Sequence, residues 1–267
     1  MQLLSYPGRI HQPSQIKIES IRETRMMDQL KKKYDENGVI HVPEFLSAKD
    51  VSEIREELER YIHEDLRGKP ADAATREADG EQVRNLWRLE EHNPCFRKFA
   101  ERADLLQLVR TLLNGEPVLA AIETFNKPAK VGSGVPPHQD NAYFCRTPAD
   151  KLTIWIAIDP VTNENGPVTY IKGSHLNGVL PTKPSGVKGN SIGLAEEVAT
   201  APEAEFCGIL APGDATIHHC NTIHWSAPNT TDSPRLGFLM VYRGAHTEVD
   251  QALRETYVAA STINSPS

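Results

Sequence analysis

No stretch of this 267-residue sequence reaches the roughly eighteen consecutive apolar residues that a membrane span needs. Its opening residues, MQLLSYPGRIHQPSQ, lack a charged n-region followed by an apolar h-region, so no secretory signal is read there. A cytoplasmic protein without a membrane partner is expected. Positive charge is not in excess either. The 29 Lys and Arg against 36 Asp and Glu give a formal net charge of −7, which argues against a phosphate-binding surface and hence against nucleic acid as a partner. Cysteine is sparse and never forms a CxxC pair. Cys95, Cys145, Cys207 and Cys220 suit reduced thiols used for packing better than a disulfide frame or a zinc knuckle. No internal repeat is visible.

What remains is an ordinary globular composition, 39% hydrophobic and 24% charged, in a chain long enough to bury a substantial core. One domain over residues 1–267 is expected. Residues 22–37 read as a helix ending near Gly38, and GVIHVPEFL then alternates like a short strand that Pro43 stops. Ser47, with Asp50 three residues on, marks the start of a second helix, whose Val51, Ile54, Leu58, Tyr61 and Ile62 form an apolar core stripe. Residues 68–82, GKPADAATREADGEQ, are polar and aperiodic, which predicts a mobile surface loop and a candidate lid. A third helix is expected over residues 94–114, closing at Gly115.

Beyond Pro117 the pattern changes to short β-rich runs: VLAAIETFN, KLTIWIAIDPV, GPVTYIKGS, FCGILAPGDATIHH, IHWSA and RLGFLMVYRG. The class expected is α+β, with residues 1–116 a mainly helical support and 117–245 a jelly-roll core; residues 246–267 should form a C-terminal helix and a disordered tail. In KLTIWIAID, Leu152, Ile154, Ile156 and Ile158 share one face, and Thr153, Trp155, Ala157 and Asp159 the other. A partly polar inner face is what a small jelly-roll needs if its lumen holds a ligand.

Two segments carry the chemistry. PPHQDNAYF sets His138 and Asp140 one residue apart on what reads as a strand, where both would point to one side as metal ligands or as an ordinary polar strand end. PGDATIHHCNTIHWSAPNTTDSPRLGF adds His218, His219 and His224, with Arg235 eleven residues after the last. Two histidines and one carboxylate bind Fe(II) on one face and leave positions open for a cosubstrate and dioxygen. A histidine from the later segment is the candidate third ligand.

The order FNKPAKVGSGVPPHQD, WIAIDPVTNENGPVTYIKGSHLNG and GDATIHHCNTIHWSAPNTTDSPR, preceded by YDENGVIHVPEFLSAKDVSEIREEL, resembles the phytanoyl-CoA dioxygenase (phytanoyl-CoA hydroxylase-like) family of Fe(II)/2-oxoglutarate-dependent oxygenases. The resemblance implies a double-stranded β-helix with Fe(II), 2-oxoglutarate and O2 as its cofactors. It implies His138, Asp140 and His224 as catalytic metal ligands, with His219 the alternative to His224. It places Arg235 on the far carboxylate of 2-oxoglutarate, Ser226 beside it and Trp155 along the cosubstrate pocket, with Asn126 a further contact and Lys127 a weaker one. Gly166 would serve a turn, and His175 a structural loop. An aspartate at position 140, where related halogenases carry a small residue, favours hydroxylation. The implied activity is hydroxylation of an unactivated C–H bond of a small-molecule substrate, with succinate and CO2 released. Arg84, Arg88, Arg146 and Glu123 are candidates, by neighbourhood alone, to read a charged substrate. No basic cluster for a CoA diphosphate is present, which leaves polar metabolites, amino acid derivatives, organophosphonates and natural-product intermediates in better standing than an acyl-CoA. The alternative reading is a non-catalytic or differently metallated cupin-type binding protein.

Overall fold

A computed structural model describes residues 15–187 and 190–262. Along the chain lie α1 (Gln15–Asn37), β1 (Val39–Val42), α2 (Ala48–Arg60), β2 (Ala74–Arg76) and β3 (Val83–Leu86). The helices α3 (Leu89–His92), α4 (Pro94–Ala100) and α5 (Ala103–Leu112) follow, then β4 (Pro117–Lys127), β5 (Val135–His138), α6 (Asn141–Phe144), β6 (Arg146–Thr147), β7 (Lys151–Ala157) and β8 (Val168–Ile171). The last part holds β9 (Thr182–Val187), β10 (Asn190–Leu194), β11 (Glu205–Cys207), β12 (Ala215–His219), β13 (His224–Ser226), β14 (Arg235–Gly244), β15 (Glu248–Val249) and α7 (Gln251–Thr262).

Two antiparallel sheets form an open jelly-roll, the expected α+β double-stranded β-helix. The larger runs β1-β12-β7-β14-β4-β3-β2 and the smaller β11-β8-β13-β5. Strand alternation decides which residues face where. On the larger sheet Ile154, Ile156, Ile217, Phe238, Met240 and Tyr242 point outward into one core with Ile54 and Leu58 of α2 and Val109 and Leu112 of α5. Thr153, Trp155, His218, Leu239 and Val241 point inward, and with the smaller sheet they enclose a cavity of about 230 Å³. The reading of β7 is borne out, with both faces buried for different reasons: one against helices, one around the lumen. Ser47 caps α2 by accepting from the Asp50 backbone N–H, and the Asp50 side chain returns the bond, as the spacing predicts.

Several expectations require correction. Residues 68–82 do not form an irregular loop. Ala73 is fully buried in a short 3-10 turn, β2 pairs with β3, and the buried Glu77 carboxylate accepts from the Ser133 backbone and hydroxyl. The mainly helical support therefore contributes β1, β2 and β3 to the larger sheet. The helix expected over 94–114 is broken after Ala100, whose carbonyl accepts from the Tyr242 hydroxyl at 2.7 Å instead of continuing the helical ladder. The strands β9 and β10 went unread because Pro184, Gly186 and Gly193 interrupt any alternation. Cys145 and Cys220 are buried as packing residues, whereas Cys95 and Cys207 are exposed. Of the expected C-terminal tail, residues 263–267 lie outside the described residues.

Candidate metal and cosubstrate site

His138 closes β5, and Asp140 is not on that strand. Its backbone is helical, φ −57° and ψ −35°, at the entry to the single turn of α6. The carboxylate comes back beside the imidazole because the chain turns, not because strand residues alternate. Gln139, fully buried between them, fixes that turn: its amide donates to the carbonyls of Gly178 at 2.8 Å and Asn221 at 2.6 Å, and its oxygen accepts from the Leu180 N–H at 2.7 Å. His224 stands opposite His138 in the β13-β5 pair, with ring centroids 4.2 Å apart.

His138, Asp140 and His224 bring one ligand atom each to within 4.8 Å of one another. The Nδ1 atoms of the two rings lie 2.8 Å from the Pro136 carbonyl and 2.9 Å from the Thr222 carbonyl. Each Nδ1–H donates there, so each Nε2 presents a lone pair, 3.7 and 3.5 Å from Asp140 Oδ1. Burial lowers the pKa of both imidazoles. Burial alone would raise the Asp140 carboxyl, but His224, His218 and His138 around it hold it far below the usual carboxylate range. Two neutral imidazoles and an ionised carboxylate are a donor set that fits a ferrous ion.

The second carboxylate oxygen of Asp140 is held from the larger sheet. Thr153 Oγ1 donates to Oδ2 at 2.9 Å, and His218 Nε2 lies 3.2 Å from it. His218 was the histidine that sequence reasoning set aside; the inward phase it shares with Thr216 on β12 is the signal that points to it. His219 faces the other way, packed against Tyr34 and His175, with Nδ1 accepting from the Asn221 N–H.

Arg235, the first residue of β14, is 1% exposed, and its Nε and Nη1 have no hydrogen-bond partner among the described residues. Its guanidinium lies 5.0 Å from the Trp155 ring centroid. Burial lowers its pKa to about 10, which leaves it cationic at neutral pH. An orphaned buried guanidinium that lines the same cavity as Ser226 and Trp155 fits a dicarboxylate cosubstrate. Gly237, which sequence reasoning missed, makes room for the indole: a Cβ there would stand 2.2 Å from Trp155 Cζ2.

The other candidates separate. Asn126 donates to the Val83 carbonyl at 2.9 Å and does not line the cavity. Lys127 is a buried clamp whose Nζ donates to the carbonyls of Ser133 and Ala227. Gly166 serves a turn at φ +80°. His175 Nε2 lies 3.0 Å from the Asp35 carbonyl, on the structural side of β12. Arg84 donates to Gly134 and Asn190 at the rim, and Arg88 pairs with Asp72. Arg146 does not line the cavity, whereas Glu123 does.

Fold and site together define the class of jelly-roll oxygenases. A family model described as phytanoyl-CoA dioxygenase (PhyH) matches residues 34–237. The chain belongs to the phytanoyl-CoA dioxygenase family. It is 27% identical to the ectoine dioxygenase of Halomonas elongata over 225 residues, 78% of this chain and 67% of that protein. It is 27% identical to a probable alpha-ketoglutarate-dependent hypophosphite dioxygenase of Stutzerimonas stutzeri over 231 residues, 82% of this chain and 79% of that one. The epimerase SnoN in complex with Fe3+, alpha ketoglutarate and nogalamycin RO matches with a TM-score of 0.67 at 25% identity, covering 85% of this chain and 86% of that one. EctD from S. alaskensis with 2-oxoglutarate and 5-hydroxyectoine shares the fold, with a TM-score of 0.67 at 20% identity over 81% and 75% of the two chains. The chain is accordingly an Fe(II)/2-oxoglutarate-dependent dioxygenase, with Fe(II), 2-oxoglutarate and O2 as its cofactors. Among the described residues, no helix is long and apolar enough to cross a membrane.

Proposed function

We propose that residues 1–267 act as one oxygenase domain, in a reducing cytoplasm, that hydroxylates an unactivated C–H bond of a small-molecule substrate and releases succinate and CO2. The observation that carries this reading is the junction in one cavity of three ligand atoms within 4.8 Å with a buried arginine that has no partner among the described residues for two of its nitrogens. Bound Fe(II) supplies oxidative decarboxylation of 2-oxoglutarate and the oxidising power for the substrate. The chain's own groups supply the rest. His138 and His224 present Nε2 lone pairs because backbone carbonyls hold their Nδ1 protons. Asp140 offers Oδ1 while Thr153 and His218 hold Oδ2, which orients the carboxylate. Arg235 takes the far carboxylate of 2-oxoglutarate with Ser226 beside it, and Trp155 walls that end from water.

The test is Fe(II)- and 2-oxoglutarate-dependent succinate formation, first without substrate and then across a metabolite panel scored for a product that has gained one oxygen. His138→Ala and Asp140→Ala should abolish succinate release, and Arg235→Ala should chiefly raise the 2-oxoglutarate requirement. Full activity in Asp140→Ala would contradict the assignment. Wild-type protein that forms no succinate would instead be a non-catalytic or differently metallated jelly-roll.

A further inference from the structure

Resting on that reading, we infer that Glu123 is the substrate anchor and that the substrate presents an organic cation to it, a protonated or quaternary amine enclosed by the aromatic walls of the cavity.

Register sets the distance. Glu123 pairs with Leu239, four residues along β14 from Arg235, which separates the two backbone positions by about 13 Å of strand. The register thus sets Glu123 four residues along the sheet from the cosubstrate anchor and one inward row short of the Thr153-Val241 row that holds Asp140. Among the described residues, Glu123 and Asp140 are the acidic side chains of the lining, and Arg235 is its arginine. Asp140 belongs to the ligand cluster and Arg235 to the cosubstrate, so Glu123 is the carboxyl left for substrate. Its carboxyl makes no hydrogen bond or ion pair with any described residue.

The walls suit the same occupant. Trp87 and Phe125 meet edge to face beside Glu123, with centroids 5.6 Å apart, and Phe125 is two residues on along β4, on the same strand face. Aromatic side chains near a carboxyl suit an alkylated ammonium and offer little to an anion. Lys151 is the cation nearest in effect. Its ammonium lies 3.2 Å from the Phe144 ring centroid, and it forms no ion pair with Glu123. Burial, with Asp140 adding to it and Lys151 opposing, pushes Glu123 up to about 8, so without a counter-charge it holds its proton near neutrality, and a bound cation would favour the carboxylate.

All three tryptophans of the chain, Trp87, Trp155 and Trp225, line this cavity, so intrinsic fluorescence reports its occupancy. The probes are choline, its neutral isostere 3,3-dimethylbutan-1-ol, and the anion 3,3-dimethylbutanoate. Each is titrated into anaerobic protein loaded with Fe(II) and 2-oxoglutarate. Choline should bind at least about tenfold more tightly than the alcohol, and Glu123→Gln should shrink that preference to within about threefold. Equal or tighter binding of the alcohol or the acid, no binding of any probe, or a preference unchanged in Glu123→Gln overturns the assignment. The wild-type comparison stands even if the variant fails to fold. Succinate formation by the same wild-type preparation tests the oxygenase reading separately: succinate without choline preference removes only the cation, and choline preference without succinate removes only the oxygenase.

Discussion

Both oxygens of Asp140 are engaged in the site, and the residues on its far side carry a prediction that its proposed ligand role alone does not. With His218 removed, Oδ2 keeps only Thr153, and the carboxylate loses part of what aims Oδ1 at the two imidazoles. His218→Ala should weaken Fe(II) binding by about ten- to hundredfold, the usual effect of losing a group that orients a ligand, whereas the neighbouring His219→Ala should leave it unchanged. Metal titration of the two variants decides it, and equal effects would remove the orienting role. Glu123 offers a second test by pH. Its folded-state pKa of about 8 stands above its ordinary 4.5, so between those values the folded chain keeps a proton that the unfolded chain has lost. Unfolding then releases a proton, and stability falls as pH rises through that window. Asp140, Lys151 and Glu90 face the same group, and Glu123→Gln removes only its own share. The melting temperature of wild type should therefore fall more steeply than that of Glu123→Gln between about pH 5 and pH 8.

Among the elements, the one-turn helix α6 decides most. A strand continued through Asp140 would have met the alternation rule and left nothing to fix the turn; instead Gln139 ties the turn to the Gly178 and Asn221 loops. Gln139→Leu would leave two buried carbonyls and the Leu180 N–H without their partner. Each such group costs about 1–3 kcal/mol, so this variant should melt well below wild type and bind Fe(II) more weakly. Wild-type stability would show that water replaces the amide. β14 plays the complementary part: its inward phase delivers Arg235, the gap at Gly237 for the Trp155 indole, and Leu239 opposite Glu123.

For the whole molecule, the helices cover one face of the larger sheet and the smaller sheet covers the other, so the central strands are buried on both faces. Burial of this kind sorts the thiols. An impermeant thiol reagent should label Cys95 and Cys207 in the native protein and spare Cys145 and Cys220, whose thiol pKa values burial raises. Labelling of all four without denaturant would show that the core opens readily.

Periodicity and punctuation made much of this protein legible in one dimension. The α2 cap, the inward and outward phases of β7 and the change from helical to strand pattern after Pro117 all depend on local geometry, which neighbouring residues determine, whereas the pairing of His224 with Arg235 came from the family resemblance. Other features required distant segments to meet. A polar run such as 68–82 became a paired edge because β3 lay beside it, and a helix broke where Tyr242 took the Ala100 carbonyl. His218 differed from His219 only by the phase of β12, and Glu123 stood out from the other charged candidates only once β4 was registered against β14. Side-chain direction repeats along a strand and can be read there; which strands are neighbours, and so which directions converge, is settled by packing the whole chain.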